Sequence, residues 1–461
     1  MRRFAKALLL LSGAVAVVVA AGLYAWAEVG RTPGEVIAHA KRQLRPYSTL
    51  RAWAVPVLDR AAAWLDVPDT SSRAPAFSVP PLPRNPATPA AASATPDRND
   101  RIIRVGPGRS ISRIAMAAQV AVDGSVIEID PGDYVADVAV WTQADLTIRG
   151  TGNRVRLVAA GAHAEGKAIW VFRGHRATVE NIDFIGARVP DRNGAGIRLE
   201  RGQLTVRRCS FFNNQNGILT ANGADIRLEV EDSDFGYNGA GDGFSHGLYA
   251  GRIDSLRLTG NHFHHGNVGH LVKSRARLNR IEYNRITDGN DGSGGRASYE
   301  LELPDGGVAE VVGNVIQQGP LTRNSVIVSY GVEGYRWPQN TLRLVHNTIV
   351  NDARMGGTFV RVSPGAASVV MRNNLFVGYG KVDGSAVADA AGDRRAAWSD
   401  FRRPASLDYR LSEQGRATAG NPPPAPLQAD WVPRFEVGAV VGTLPLTAPP
   451  RFAGALQSIP P

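Results

Sequence analysis

Cysteine is all but missing from this chain: Cys209 stands alone among 461 residues, which excludes an intrachain disulfide. It falls in a column of small residues and is expected to pack as one of them rather than act as a nucleophile. Lysine is nearly as scarce, occurring only at positions 6, 41, 167, 273 and 381. No basic run exists either, although the formal net charge is +10. Residues 1–100 hold twelve Arg or Lys against seven Asp or Glu, a net of +5, and the rest of the excess is spread thinly. Nucleic-acid binding would want a clustered basic stripe, so no nucleic-acid partner is expected. A membrane surface or an acidic polysaccharide is compatible with this charge. Between residues 179 and 376 there is no helical periodicity and no fixed Leu grid of the leucine-rich kind.

What that stretch does contain is one phrase written eight times: an aliphatic residue, then Phe or Ile five positions later, usually with Asn or a small polar residue two before it. The copies run Val179 to Phe184, Val206 to Phe211, Val230 to Phe235, Leu258 to Phe263, Ile281 to Ile286, Val311 to Ile316, Leu344 to Ile349 and Met371 to Phe376. Start-to-start spacings of 27, 24, 28, 23, 30, 33 and 27 residues signal a solenoid. Short β-runs between Gly, Asn and Asp turns make it an all-β, single-stranded, right-handed parallel β-helix.

The segments around it are of other kinds. Arg2, Arg3 and Lys6 precede an uncharged, mainly apolar run from Ala7 to Ala27, so residues 1–30 read as a signal anchor or, with Ala25-Trp26-Ala27 offering a cleavage site, a signal peptide. Either reading puts the remainder outside the cytoplasm of a bacterial cell, anchored in the inner membrane facing the periplasm or exported. Thr32-Pro33-Gly34-Glu35 begins an amphipathic helical stalk over 31–67, and 68–100 is a Pro/Ala-rich linker. The β-helix is expected over 101–380. Ser110 to Val122 would form a helical cap on its open N-terminal end. Residues 381–461 are expected to be an irregular tail packing along the coils.

In a β-helix, equivalent positions on successive coils stack about 4.8 Å apart. Asn261, Asn284, Asn314, Asn347 and Asn374 share one column, where their amides can hydrogen-bond up and down the stack, and they are assigned to structure. A second strand set places Ile197, Ile218, Leu248, Val272, Leu301 and Val328 in an inward column. The neighbouring outward column then reads Arg198, Leu219, Tyr249, Lys273, Glu302 and Ser329. His246 and His270 are one repeat apart, and Glu300 and Arg275 lie close by. Proton removal beside a uronate carboxylate needs a base, a positive group to steady the charge, and an acid for the leaving oxygen. Lys273, Tyr249, His246 and His270 are therefore the candidate catalytic residues, with Lys273 as base if desolvation lowers its pKa. Arg275, Arg198, Glu300 and Glu302 are the candidate substrate-binding residues. The plainer alternative makes Lys273 and Glu302 a surface ion pair of little consequence. His262, His264, His265 and His270 are near in sequence, but strand geometry sends some of them to different faces, so no metal and no cofactor is expected. Asp288, Asn290 and Asp291 resemble a calcium-loop fragment, yet such turns are ordinary solenoid corners.

From Ile102 to about Tyr379 the chain resembles the pectate-lyase-like superfamily of right-handed β-helices, its Asp130-Pro131-Gly132-Asp133-Tyr134 looking like that superfamily's first coil. Val272-Lys273-Ser274, followed by Asn279-Arg280-Ile281-Glu282-Tyr283-Asn284, resembles the base-carrying segment of the chondroitinase B and alginate lyase family, which implies Lys273 as base. That family's Arg-His-Gly on the next coil is replaced here by Ser298-Tyr299-Glu300-Leu301-Glu302, and its calcium-binding Glu residues have no counterpart, Gly266 and Val268 standing nearby. A lyase here would thus use another acid and no calcium. Ser245-His246-Gly247 and His270-Leu271-Val272-Lys273-Ser274 are similar to elements of polygalacturonases, whose adjacent Asp pair is missing; hydrolysis by paired carboxylates is disfavoured. The expectation is a monomer acting on an acidic polysaccharide by β-elimination or C5 epimerisation. The alternatives are a non-catalytic glycan-binding or envelope-organising protein and, third, a glycoside hydrolase.

Overall fold

The computed structural model describes residues 101–290, 294–353, 356–383, 387 and 389–458, with positions 56, 57, 60 and 80 besides. The expected signal anchor and, those four positions apart, the stalk and the linker lie outside the described residues. Among the described residues no helix is long and apolar enough to cross a membrane.

From Ile102 to Ala396 the chain winds as a right-handed solenoid in which each coil gives one short strand to each of three parallel sheets, of twelve, ten and eleven strands. The first sheet runs from Ile102–Val105 to Asp389–Ala391, the second from Ala139–Trp141 to Lys381–Asp383, and the third from Gly132–Val135 to Arg394–Ala396. The coils thus continue beyond residue 380.

The repeated phrase spans the corner between the first and third sheets. Its aliphatic member forms an unbroken inward column in the first sheet, Val179, Val206, Val230, Leu258, Ile281, Val311, Leu344 and Met371. Its Phe or Ile member does the same in the third, Phe184, Phe211, Phe235, Phe263, Ile286, Ile316, Ile349 and Phe376. Consecutive rings from Phe184 to Phe263 stack with centroids 5.0, 4.6 and 4.5 Å apart. All four are essentially inaccessible, and each such burial contributes about 1.5–3 kcal/mol.

What turns the corner is a residue in left-handed backbone immediately before each ladder position, such as Asp232 (φ 48°), Gly260 (68°), Tyr283 (57°), Gly313 (66°) and His346 (51°). That bend interrupts the strand and leaves the next N–H in need of an acceptor. The Asn ladder supplies it: Asn261, Asn284, Asn314 and Asn347 each donate their backbone N–H to the Oδ1 of the Asn one coil later, at 2.8–3.0 Å. Each Nδ2 also donates to a carbonyl of the preceding coil, as Asn314 does to Ile281. Asp393 ends the ladder, accepting from the N and Nδ2 of Asn374. Cys209 belongs to the same column, its N–H donated to Ser233 Oγ.

The N-terminal helix is shorter than expected, Ile114–Val120, and buries Ile114, Ala117 and Ala118. Beyond the last coil the chain is partly regular, with hairpins Phe401–Arg403 with Asp408–Leu411 and Phe435–Val437 with Thr443–Pro445, and a helix over Glu413–Gly420. Phe401, Tyr409, Leu411 and Val437 pack on Val315, Val350, Leu375 and Val377, so the late coils of the third sheet have apolar outer residues because this segment covers them.

Candidate functional site

Three short strands of the second sheet, Leu248–Ala250, Val272–Ser274 and Leu301–Leu303, carry the middle of the patch. Leu248, Val272 and Leu301 pair in register and face inward, so Tyr249, Lys273 and Glu302 stand side by side outward. The full columns inferred from sequence are found in this register, from Arg198 through Leu219 and Tyr249 to Ser329.

Lys273 Nζ lies 2.8 Å from Glu302 Oε2, and His270 Nε2 lies 3.1 Å from the same oxygen. Burial alone would raise the Glu302 carboxyl, but the His270 imidazole and the Lys273 charge hold it down at about 2. Burial lowers the pKa of His270 against the opposing pull of Glu302, and burial lowers that of His246 further, so both rings are neutral near pH 7. The two imidazoles stack at 4.4 Å, and His246 Nδ1 accepts the backbone N–H of His270 at 3.0 Å. That bond leaves the proton of neutral His246 on Nε2.

Arg275 joins the cluster from the end of its strand. Its Nε donates to the Tyr249 hydroxyl at 3.0 Å, its Nη2 meets Glu333 at 2.7 Å, and its Nη1 pairs with Asp305. Asp305 is fully buried and also takes Arg252 Nε at 2.6 Å. Glu333, 47% exposed, reaches Lys273 as well, at 3.5 Å. Its carboxylate thus straddles Lys273 and Arg275 beside the Tyr249 hydroxyl. Because Tyr249 accepts from Arg275, its own proton is left for a ligand.

The structure therefore brings together Tyr249, Lys273, His246, His270, Arg275 and Glu302. Arg198 is on the column but separate: Leu219 lies between it and Tyr249, and its Nε is buried without a partner. Glu300 must be corrected as a substrate-binding residue. It is wholly buried and accepts from Gln318 Nε2 at 3.3 Å, with its pKa raised by burial and by Asp288. The strand begins only at Leu301, so the alternation that exposes Glu302 does not reach back to Glu300. Lys273 meets two carboxylates, an arrangement that suits an ammonium charge rather than a base with an open lone pair. Asp305, Arg252 and Glu333 were missed by sequence reasoning. The one signal for Glu333 was the longest spacing, 33 residues from Val311 to Leu344, which holds the loop that carries it.

The histidines near residue 262 divide between two sheets. His262 and His264 share one strand of the third sheet and face outward beside Asp234 of the preceding coil, while His270 is in the cluster above. His262 is pushed down to about 4, by burial first and the His264 charge second.

The family model described as the right handed beta helix region matches residues 141–249. No curated protein sequence matches the chain. Among solved structures, a pectate lyase, Pel9A, is similar at 13% identity and a TM-score of 0.53, covering 77% of this chain and 96% of that one. ORF18 of Geobacillus virus E2 is similar at 14% identity and a TM-score of 0.45, covering 66% of this chain; the chain spans 63% of that protein's length. A mutant pectin methylesterase in complex with a hexasaccharide is similar at 11% identity and a TM-score of 0.30, covering 68% and 94%. The last two scores are too low to carry an argument. The fold is thus that of a pectate-lyase-like, right-handed parallel β-helix.

Proposed function

We propose that the chain is a carbohydrate-active β-helix protein whose second-sheet face takes an acidic polysaccharide, the observation behind this being the Glu333 carboxylate held between Lys273 and Arg275. A uronate carboxylate has the same charge and planar geometry, and it would replace Glu333 between the same two cations. It would bring its ring against the Tyr249 hydroxyl. In β-elimination the proton beside the carboxylate leaves, the glycosidic C–O bond breaks and the departing oxygen takes a proton; in epimerisation a proton returns to the opposite face instead. The displaced Glu333 carboxylate would take the proton, Lys273 and Arg275 would steady the enolate-like charge, and Tyr249 would give its own proton to the departing oxygen or to the opposite face of the ring. His246 and His270 orient the site, and Glu302 holds Lys273. This moves Lys273 from base to charge stabiliser, because Glu302 occupies it.

A second reading, a glycan-binding or envelope-organising protein without turnover, is favoured by the pairing of every cation in the cluster with a carboxylate. One experiment separates them. Incubation with a panel of uronate polymers should give an ultraviolet-absorbing unsaturated product for a lyase, or solvent-proton exchange without cleavage for an epimerase. A binder gives neither. Tyr249→Phe should abolish turnover and keep binding, whereas turnover equal to wild type would remove Tyr249 from the chemistry. We further infer a monomer, anchored in the inner membrane or exported, with helix Ile114–Val120 covering the first coil.

A further inference from the structure

Asp234, His262 and His264 converge on the outer face of the third sheet, on a different sheet from the cluster above. Their ligand atoms all lie within 4.8 Å of one another. Asp234 Oδ1 is 3.2 Å from His262 Nδ1 and 3.3 Å from His264 Nε2. A tetrahedral ion with bonds of about 2.0–2.1 Å sets its ligands about 3.3–3.4 Å apart, so both contacts have the length of a coordination edge. We propose that these three side chains bind a divalent cation of the zinc class, with a fourth position open to solvent or a ligand.

Four features make this a built site rather than a chance meeting. Asp234 Oδ1 and His262 Nδ1 are both buried and 3.2 Å apart without a well-aligned hydrogen bond, a contact that an ion between them would replace with two short bonds. Gly236 pairs with His264 in register, and a Cβ there would collide with the His264 imidazole; its absence lets the ring lie back toward the preceding coil. The remote ring nitrogens have the partners that orient metal-bound imidazoles: His262 Nε2 is 3.4 Å from Thr287 Oγ1, and His264 Nδ1 is 2.6 Å from His265 Nδ1. With His264 as donor in that pair, its Nε2 presents a lone pair to Asp234, as an ion requires; with His265 as donor, the proton on Nε2 fills the gap instead. Finally, Arg285, which follows His262 on the next coil, is tied to the Leu407 and Gly438 carbonyls. Asp234 keeps a third of its surface exposed, so the ion has a way in.

Cobalt(II) is the probe. The full chain, stripped with chelator and titrated, should take up one equivalent with the visible bands of four-coordinate cobalt, and zinc should displace it. Asp234→Asn and His264→Gln should weaken binding by about tenfold or more. His175→Gln, at an exposed histidine of the same solenoid, should change nothing. Zinc should also raise the melting temperature of wild type and not of the two variants. Wild type that takes up no cobalt, or that binds it no better than His264→Gln, would overturn the proposal, and the wild-type result decides the matter even if a variant fails to fold.

Discussion

Replacing Glu302 by Gln keeps the shape of the side chain and removes the charge facing Lys273 at 2.8 Å and His270 at 3.1 Å. The carboxylate is only 5% exposed, so solvent does little to soften its loss. Breaking one side of a buried pair costs about 3–5 kcal/mol. Lys273 retains Glu333, but at 3.5 Å and with that partner 47% exposed, which puts the expected loss near the lower end, about 3 kcal/mol. A second route gives the same order. The Glu302 carboxyl sits at about 2 against an ordinary 4.5, a gap corresponding to about 3 kcal/mol of stabilisation when ionised. Because the folded value is the lower one, this stability is present above the unfolded pKa and is lost as pH falls from about 4.5 through 2. Urea unfolding followed by far-ultraviolet circular dichroism should therefore show the full deficit of Glu302→Gln at pH 7 and a shrinking one below pH 4.5. Adding Lys273→Met should return part of the loss, since the stranded charge goes with it. A deficit under about 1 kcal/mol at pH 7, or one that ignores pH, would mean the pair is effectively solvated and the electrostatic account is wrong.

Asn314→Ala should cost about 2–5 kcal/mol, because the buried N–H of Asn284 loses its acceptor and the bonds of Asn314 Nδ2 to Ile281 and Asn347 go with it, and the same urea titration measures it. Asp393 ends the ladder with a carboxyl that burial pushes up to about 6. A raised folded value means stability is lost as pH rises from the unfolded pKa of about 3.8 through 6, so Asp393→Asn should be more stable than wild type by about 3 kcal/mol at pH 8 and nearly equal to it below pH 4. Equal stability at both pH values would refute this. Cys209 is buried, with its thiol pushed up to about 12, so a thiol reagent at pH 8 should label the chain only after denaturation. Rapid labelling of the folded protein would contradict the ladder's packing.

The columns were legible because one corner recurs. Once Val179 and Phe184 are recognised as its two sides, every later coil fixes its own register by the same pair, and Tyr249, Lys273 and Glu302 must then align. Strand ends were not legible, and that accounts for the misplacing of Glu300. Alternation was extended one step too far to Glu300, which precedes the strand Leu301–Leu303 and turns inward. The four histidines do divide between faces: the strand His262–His264 sends those two outward together, His265 in left-handed backbone at φ 50° breaks the pattern, and His270 lies in the other cluster. Residues brought in by loops gave less signal still, because loop length is free while coil height is not. Glu333 reaches Lys273 from sixty positions away through the loop of the longest repeat. If solenoid strands supply a fixed grid and loops supply what varies, the residues that decide which ligand this face accepts belong to that loop, and Glu333→Gln should raise affinity for uronate polymers while Glu302→Gln lowers it. Equal effects of the two changes would place both carboxylates in the framework and neither in recognition.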